Sequence, residues 1–444
     1  MRSLTISASA LAVALLAASC SGGEKADSTA APAGDPAQGV SDDAVVVGTH
    51  QPLSGAASPG FVHVSTGARA VFDYVNDNGG VHGRRIEYVV KDDAFDPVRT
   101  QTATGELLDE EGIFAMVGGL GTRTHEAVID ELNDRGVPDL FVSSGALSWD
   151  QPEEYPYSYG FQPDYTREAK VQARYIAENL PGEKVGLLYQ NDDVGPAAQA
   201  GIEQYLTDEV VAWEAYDPSV PELGGQIAGL QEEGADVVVC SCIPSFLALA
   251  LMEAAQAGYE PQWVAPSFGG DAAVVAGVIE EYSAGTPLEG VPPAGLVDGL
   301  ILTSFLPLAS QTDDPWIEFY REVLDEYAPE GTPFVDTTVY GMVQATLFAR
   351  LLVETGPDLD RAGLLETLHS HDLAGPGLVP FAATEEDHAG YTGVMVARIR
   401  SGQEPEILQG PQRTDRGGGE ILDVELDRPS PDGVRIFGGE ENPG

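Results

Sequence analysis

The side chains best suited to acid–base or metal chemistry in this sequence are seven histidines, and their spacing forms no catalytic or metal-binding motif. Only His369 and His371 are neighbours, in a segment that we expect to be a surface connection. No G-x-S-x-G, H-E-x-x-H or Walker motif is present, and no Cys/His cluster has metal-ligand spacing. We therefore expect no enzymatic activity, no metal and no other cofactor. The histidines are His50, His63, His82, His125, His369, His371 and His388.

A glycine-rich segment, GGLGTRT at residues 118–124, lies between a predicted strand and a predicted helix. Backbone amides at such a junction face a positive helix N-terminus and suit an anion. A dinucleotide fingerprint requires a third glycine, and Thr124 stands at that position. Tight turns with no ligand are the alternative explanation. The segment therefore predicts an anion-binding loop or a plain turn, and it argues against a nucleotide site.

Two further groups of reactive residues have structural interpretations. Cys240 and Cys242 lie on a predicted strand, where side chains two residues apart share a face without pointing at each other, so we expect buried thiols and no disulfide. The aspartates of residues 92–96 lack the D-x-D-x-D-G order and the distal glutamate of a calcium loop. We interpret them as turn and capping residues, with Asp96 as the N-cap before Pro97.

The N-terminus and the net charge restrict location and partners. Arg2 and the apolar residues 4–18 are typical of a signal peptide, and the segment ending at Cys20 resembles a lipobox, whose cysteine carries a lipid anchor. Ordinary cleavage beside an incidental cysteine is the alternative. A net charge of −49 excludes nucleic acid as a natural partner. We expect a protein anchored by lipid at the extracytoplasmic face of the cell membrane.

Apolar strand-like segments alternate with helical spacing along the chain, which predicts parallel sheets covered by helices on both faces. Two such series predict an α/β fold of two Rossmann-like lobes joined by a three-segment hinge. The predicted boundaries are 1–19 for the signal peptide, 20–42 for a disordered tether, 43–161 and 301–374 for the first lobe, 162–300 and 375–411 for the second, and 412–444 for a poorly ordered acidic, Gly/Pro-rich tail with a possible added strand at 434–437. The predicted hinge segments lie near 161–164, 302–305 and 377–381.

Identity and spacing run together across about fifty residues, and the sequence resembles the type I periplasmic binding proteins of the branched-chain amino acid transporter class over nearly the whole folded region, fading after about residue 400. The resemblance implies a monomer that captures a small-molecule ligand by hinge closure and delivers it to the permease and ATPase subunits of an ABC importer. The segments that carry it are 47–55, 67–68, 73–86 and 92–97, followed by 118–124, 136–138, 141–146 and 188–193.

The resemblance also implies which residues bind the ligand. Two loops of the first lobe would hold a ligand carboxylate through amides and hydroxyls, and residues of the second lobe would close over it. The implied first-lobe residues are Gly121, Thr122, Ser143, Ser144, Gly145 and Ala146. The remaining implied ligand-binding residues are Gln162, Asn191, Asp192, Ile243, Ser267 and Phe268.

Three departures from the family pattern bear on the ligand. Amino-acid-binding members have a hydroxyl residue at the position of Ala146, an aromatic residue at Ile243 and an acid at Ser267. Without a carboxylate at Ser267, a buried α-ammonium would lack its charge partner. We expect a carboxylated compound other than a standard branched-chain amino acid. The alternatives are an amino acid of the same importer class, or a sensor that acts through a separate partner protein.

Overall fold

The computed structural model describes residue 35 and residues 37–371, 373–425, 428–434 and 436–437. The predicted signal peptide, Cys20 and most of the predicted tether lie outside the described residues. Among the described residues, no helix is both long enough and apolar enough to cross a lipid bilayer.

The described residues form two large sheets and a short hairpin, surrounded by helices. The strands are β1 (Ala44–Gln51), β2 (Arg85–Asp92), β3 (Ala115–Val117), β4 (Asp139–Val142), β5 (Ser158–Gly160), β6 (Val185–Gln190), β7 (Val210–Tyr216), β8 (Val237–Ser241), β9 (Gln262–Ala265), β10 (Ile301–Ser304), β11 (Phe381–Ala382), β12 (Gly390–Tyr391), β13 (Gly393–Arg398), β14 (Glu406–Arg413) and β15 (Leu422–Asp423). The helices are α1 (Ser58–Asp77), α2 (Pro97–Asp109), α3 (Thr122–Glu126), α4 (Ile129–Asp134), α5 (Tyr165–Asn179), α6 (Val194–Ile202), α7 (Gly224–Glu233), α8 (Pro244–Ala257), α9 (Ala272–Ser283), α10 (Pro293–Val297), α11 (Pro315–Tyr327), α12 (Asp336–Thr355) and α13 (Arg361–Ser370).

Each large sheet defines one lobe, and the predicted α/β architecture is confirmed. The first sheet has the order β2-β1-β3-β4-β5 and is parallel throughout. The second has the order β15-β14-β13-β10-β9-β8-β6-β7, in which β6 to β10 are parallel and β13 to β15 are antiparallel. Both sheets reverse their strand order beside the first strand of the series. Open parallel sheets bind ligands at the carboxyl ends of the strands next to such a reversal.

Before β15 the chain passes between the two large sheets in three segments, at 161–164, 305–314 and 371–392. Aromatic side chains from all three pack together, since the ring centroids of Phe161, Phe305 and Tyr391 lie 5.1–5.5 Å apart. One boundary differs from the expectation. Residues 301–304, which we expected to open the return to the first lobe, form β10 of the second sheet, because they pair with β9 and β13.

The C-terminal segment also differs from the expected poorly ordered tail. The ammonium of buried Lys170 is 2.6 Å from the carbonyl oxygen of Gly417, 2.8 Å from that of Gly419 and 2.9 Å from Oδ1 of Asp415. After β15 the chain returns to the first lobe, where Arg428 pairs with Asp314 at 2.7 Å. A buried ammonium requires such acceptors, so Lys170 holds this segment against α5.

The final described residues extend the contact with the first lobe. The indole nitrogen of Trp316 donates to the carbonyl oxygen of Pro429 at 2.9 Å, and Val434, Ile436 and Phe437 are buried. The possible strand at 434–437 includes residue 435, which lies outside the described residues. The segment after β15 is therefore a fourth lobe crossing, which the sequence did not predict.

Two local predictions had opposite outcomes. Asp96 is the N-cap of α2, and its side chain accepts from the amides of Val98 and Arg99, as predicted. The prediction of two free thiols is wrong, because Cys240 and Cys242 form a disulfide. The strand ends at residue 241 and the chain bends towards α8, which brings the two Cα atoms to 5.1 Å, within the range that a disulfide spans.

Helices α1 and α12 cross at two glycines, and this crossing brings both helices to the junction between the lobes. A Cβ atom on Gly67 would lie 2.2 Å from the carbonyl oxygen of Thr338, and one on Gly341 would lie 1.9 Å from that of Val64. Any larger residue would separate the two backbones. The amino-terminal turns of both helices therefore stand beside the carboxyl ends of the strands.

Candidate functional site

A cavity between the lobes lies at the carboxyl ends of the parallel strands. It encloses about 780 Å³ of space free of protein atoms, its opening included. Loops after β3, β4, β8 and β9 contribute to its wall, as do the amino-terminal turns of α1 and α12. The lining residues are Phe61, Val64, Phe95, Leu120, Gly121, Thr122, Ser143, Gln162, Tyr165, Gln190, Val194, Ile243, Ser267, Phe268, Asp271, Ser304, Phe305, Leu306, Pro307, Asp336, Thr337 and Tyr340.

The wall is mainly apolar and rich in aromatic rings from both lobes. Ile243 and Val194 add aliphatic surface from the second lobe. Tyr165 and Phe268 contact each other edge-on, with ring centroids 5.1 Å apart. Such a wall favours a ligand with an apolar body. The aromatic lining residues are Phe61, Phe95, Tyr165, Phe268, Phe305 and Tyr340.

Three hydroxyl groups form a closed cluster at one part of the wall. Oγ1 of Thr122 lies 2.8 Å from Oγ of Ser144 and 3.1 Å from the hydroxyl oxygen of Tyr165. Burial raises the pKa of Tyr165 to about 12, so its phenol stays neutral. The resemblance assigned Thr122 and Ser144 to a ligand carboxylate. In the structure their hydroxyls bond to each other and to Tyr165 instead.

Two aspartates, Asp271 of the second lobe and Asp336 of the first, form the acidic part of the cavity wall. Oδ2 of Asp271 accepts from the amide of Thr337 at 2.9 Å, and Oδ1 caps α9 by accepting from Ala273 and Val274. Oδ1 of Asp336 accepts from the amide of Ala309 at 2.7 Å. Burial raises the pKa of both carboxyl groups, and the negative charge of Asp271 raises that of Asp336 further.

An amide side chain completes the polar part of the cavity. Oε1 of Gln162 accepts from the hydroxyl of Tyr340 at 2.9 Å. Gln162 is 3% exposed, and its Nε2 has no hydrogen-bond partner among the described residues. Below it, Gln344 donates to Oγ of Ser143 at 2.8 Å. A buried amide donor without a partner is costly, so this group is suited to a ligand acceptor.

A buried glutamate stands behind Ser267, where amino-acid-binding members have their acid. Oε1 of Glu168 accepts from the amide of Ser267 at 2.7 Å and from the hydroxyl of Thr303 at 2.6 Å. Oε2 accepts from Oγ of Ser267 at 3.2 Å. Burial raises the pKa of Glu168 to about 6. Ser267 therefore separates this carboxylate from the cavity.

The structure brings seven of the predicted ligand-binding residues to the cavity wall and leaves five away from it. Ser144, Gly145 and Ala146 lie behind the wall, where the carbonyl oxygen of Gly145 accepts from the amide of Tyr165. Asn191 is exposed, and Asp192 accepts from Nε2 of Gln190. The seven at the wall are Gly121, Thr122, Ser143, Gln162, Ile243, Ser267 and Phe268.

Sequence reasoning missed the acids and tyrosines of the wall. Asp271 is the N-cap of α9, and an N-cap signal in a sequence indicates the start of a helix and not a cavity. Asp336 and Tyr340 stand at the start of α12, and their relation to the cavity depends on the crossing with α1. Tyr165 opens α5 directly after the first lobe crossing. These residues were accessible only through the tertiary arrangement.

A second buried polar cluster lies in the first lobe, outside the cavity wall. His50 contacts Oδ2 of Asp93 through Nδ1 at 2.8 Å and Nδ1 of His125 through Nε2 at 2.7 Å. Nε2 of His125 contacts Oδ2 of Asp139 at 2.8 Å. Burial lowers the pKa of His50. Each of the three contacts needs one hydrogen-bonding proton, and the two imidazoles and the two aspartates share these protons. We name these four residues the histidine–aspartate chain.

The fold and cavity define a two-lobed binding protein, and comparison with known proteins agrees. The periplasmic binding protein family model matches residues 44–404. This chain belongs to that family of solute-binding proteins, which bind small ligands outside the cytoplasm and serve ABC transporters.

The individual relatives are distant. The leucine-specific-binding protein of Salmonella typhimurium is 22% identical over 241 residues, which cover 53% of this chain and 64% of that protein. The match therefore spans less than two thirds of this curated relative. A branched-chain amino acid ABC transporter protein from Thermus thermophilus, solved with bound valine, has a TM-score of 0.72 at 15% identity, covering 85% of this chain and 98% of the other. A fatty acid ABC transporter substrate-binding protein from Thermomonospora curvata has a TM-score of 0.71 at 19% identity, covering 87% and 97%. These structures share the fold.

Proposed function

We propose that this protein captures a small organic solute outside the cytoplasm and delivers it to the permease and ATPase of an ABC importer by hinge closure. The observation that carries this proposal is the cavity at the strand carboxyl ends of both lobes. The lobes are joined by chain crossings packed around Phe161, Phe305 and Tyr391. A solute that contacts both lobes stabilises the closed state, which is what delivery requires.

The solute of this proposal is not a standard branched-chain amino acid. Ser267 presents a hydroxyl where an acid would bind the α-ammonium, and Glu168 lies behind it with its own donors. The hydroxyls of Thr122 and Ser144 bond to Tyr165. A carboxylate on the solute stays a prediction of the resemblance, and no cationic side chain among the described lining residues supports it.

The remaining parts of the proposal concern attachment and chemistry. We propose that Cys20 carries a lipid and holds the protein at the outer face of the cell membrane as a monomer. The segment that follows Cys20 is the proposed tether. The protein performs no reaction on its solute in this proposal, since the cavity provides binding groups from both lobes and its task is delivery.

The test combines calorimetry with small-angle X-ray scattering on the purified protein. A solute found by calorimetric screening of amines, alcohols, organic acids and amino acids is expected to reduce the radius of gyration, because it draws the lobes together. Tight binding of leucine, isoleucine or valine would refute the proposed solute class. Binding of a verified solute without any compaction would refute hinge closure.

A further inference from the structure

The charges of the cavity wall have one sign. Asp271 and Asp336 line it, and no lysine, arginine or histidine is among the described residues that do so. A carboxylate entering this space would lose hydration and meet at least one negative charge without a cationic partner, which is strongly unfavourable. An ammonium entering the same space would meet the charge that it needs. The wall therefore selects against an acid and favours a cation.

The two aspartates have different roles. Asp271 accepts from the amides of Ala273 and Val274 in its own lobe and from the amide and hydroxyl of Thr337 in the other. These contacts occupy both of its oxygens. Asp336 accepts one hydrogen bond among the described residues, from the amide of Ala309. Asp336 is therefore the carboxyl group available to a solute.

The electrostatics of Asp336 agree with that role. Burial and the nearby charge of Asp271 raise its pKa, so its ionised form is disfavoured in the empty cavity. A cation beside it reverses this preference, since an opposite charge favours the ionised carboxylate. A binding acid gains its partner when the solute arrives.

An independent observation points to a ligand at the same place. Nε2 of Gln162 is buried and has no partner in the part of the chain that the structure describes, and Gln162 lines the cavity. Its other end is fixed by the hydroxyl of Tyr340, which stands one helical turn after Asp336 on α12. Residues four apart on a helix are neighbours, with Cβ atoms about 5–6 Å apart. Asp336 and Gln162 are therefore close enough for one small molecule to contact both.

We propose that the solute is an apolar organic amine that places its ammonium at Asp336 and an uncharged acceptor at Gln162, and that it carries no carboxylate. The proposal rests on the proposed function and specifies its solute class. Aromatic side chains such as Phe61, Phe268 and Phe305 enclose the apolar body. Aromatic faces also attract a cation, which adds to the selection made by the carboxylate.

Isothermal titration calorimetry with matched probes tests the charge selection. The probes are 2-phenylethylamine, 2-phenylethanol and 3-phenylpropanoate, with L-leucine as the family comparison. We expect the amine to bind at least about tenfold more tightly than the alcohol, and we expect no binding of the acid. Asp336→Asn is expected to weaken amine binding by about tenfold or more while alcohol binding stays within about twofold.

The control variant is Asp325→Asn, which makes the same change in net charge at an exposed position of α11. It is expected to leave amine binding unchanged. Unchanged alcohol binding by Asp336→Asn shows that the variant cavity is intact. Tighter binding of 3-phenylpropanoate than of the amine would overturn the amine proposal and leave the proposed function standing, whereas tighter binding of L-leucine would also overturn the exclusion of branched-chain amino acids. Binding of none of the four probes would overturn the amine proposal alone, because the proposed function is tested by the wider solute screen and by lobe closure.

Discussion

The histidine–aspartate chain and the polar groups of the cavity wall are both buried, but they differ in how many of their polar atoms have a hydrogen-bond partner. In the histidine–aspartate chain, each of the four ring nitrogens has a partner, and only Oδ1 of Asp139 lacks one among the described residues. At the cavity, the described residues provide one hydrogen-bond donor to Asp336 and no partner for the buried amide nitrogen of Gln162. A matched group stabilises the fold, whereas an unmatched group is available to a ligand.

The matched group also shapes the wall of the cavity. Oδ1 of Asp93 accepts from the amide of Phe95, which lines the cavity with a φ of +61°. Gly119 lies directly over the two imidazoles, since a Cβ atom there would be 2.4 Å from the ring of His125. Only glycine permits such a close approach. The histidine–aspartate chain therefore fixes the loops that surround the site without taking part in binding.

The largest expected effect comes from breaking the histidine–aspartate chain. His125→Ala removes the hydrogen-bond partner of both His50 and Asp139 and leaves two buried polar groups unmatched. Each buried polar group left without its partner costs about 1–3 kcal/mol, so we expect the free energy of unfolding to fall by about 2–6 kcal/mol. Chemical denaturation at neutral pH measures it.

The control for this prediction is His371→Ala. His371 is exposed at the end of α13, and surface substitutions of this kind change stability by about 0.5 kcal/mol or less. A loss of unfolding free energy below about 1 kcal/mol for His125→Ala would show that the histidine–aspartate chain does not stabilise the fold.

Glu168 tests the intermediate case, a buried acid with donors on both oxygens whose pKa is nevertheless raised to about 6. A carboxyl group whose pKa is higher in the folded state stabilises the fold below its unfolded pKa, and this contribution is lost as the pH rises through about 6. The expected difference between pH 4 and pH 7 is about 2 kcal/mol. Glu168→Gln has no carboxyl group at this position, so this pH-dependent part of the free energy of unfolding is absent in the variant.

Unfolding free energies of both proteins across this pH range provide the measurement. Their difference isolates Glu168 from the other acids, because the rest of the −49 charge is common to both. Glutamine keeps an oxygen for the amide of Ser267 and the hydroxyl of Thr303. Parallel profiles would contradict the raised pKa of Glu168.

The sequence predicted those features that depend on local pattern. Alternating strands and helices predicted both lobes, and the resemblance to the family implied that Thr122 and Ser267 lie at the ligand. Features that depend on contacts between distant segments were missed. Asp336 reaches the cavity because Gly67 and Gly341 let α1 and α12 approach closely. The disulfide at Cys240 depends on where β8 ends and bends.

The smallest expected effect on stability is that of Asp336→Asn, at the cavity. Asp336→Asn keeps an oxygen for the amide of Ala309 and removes a carboxyl group whose ionised form burial disfavours. We therefore expect its unfolding free energy to remain within about 1 kcal/mol of the parent protein, while amine binding weakens by about tenfold or more. The same denaturation and calorimetry experiments measure both quantities. A loss of stability comparable to that of His125→Ala would place Asp336 among the structural acids, because a carboxylate that exists to bind a solute contributes little to the fold when the solute is absent.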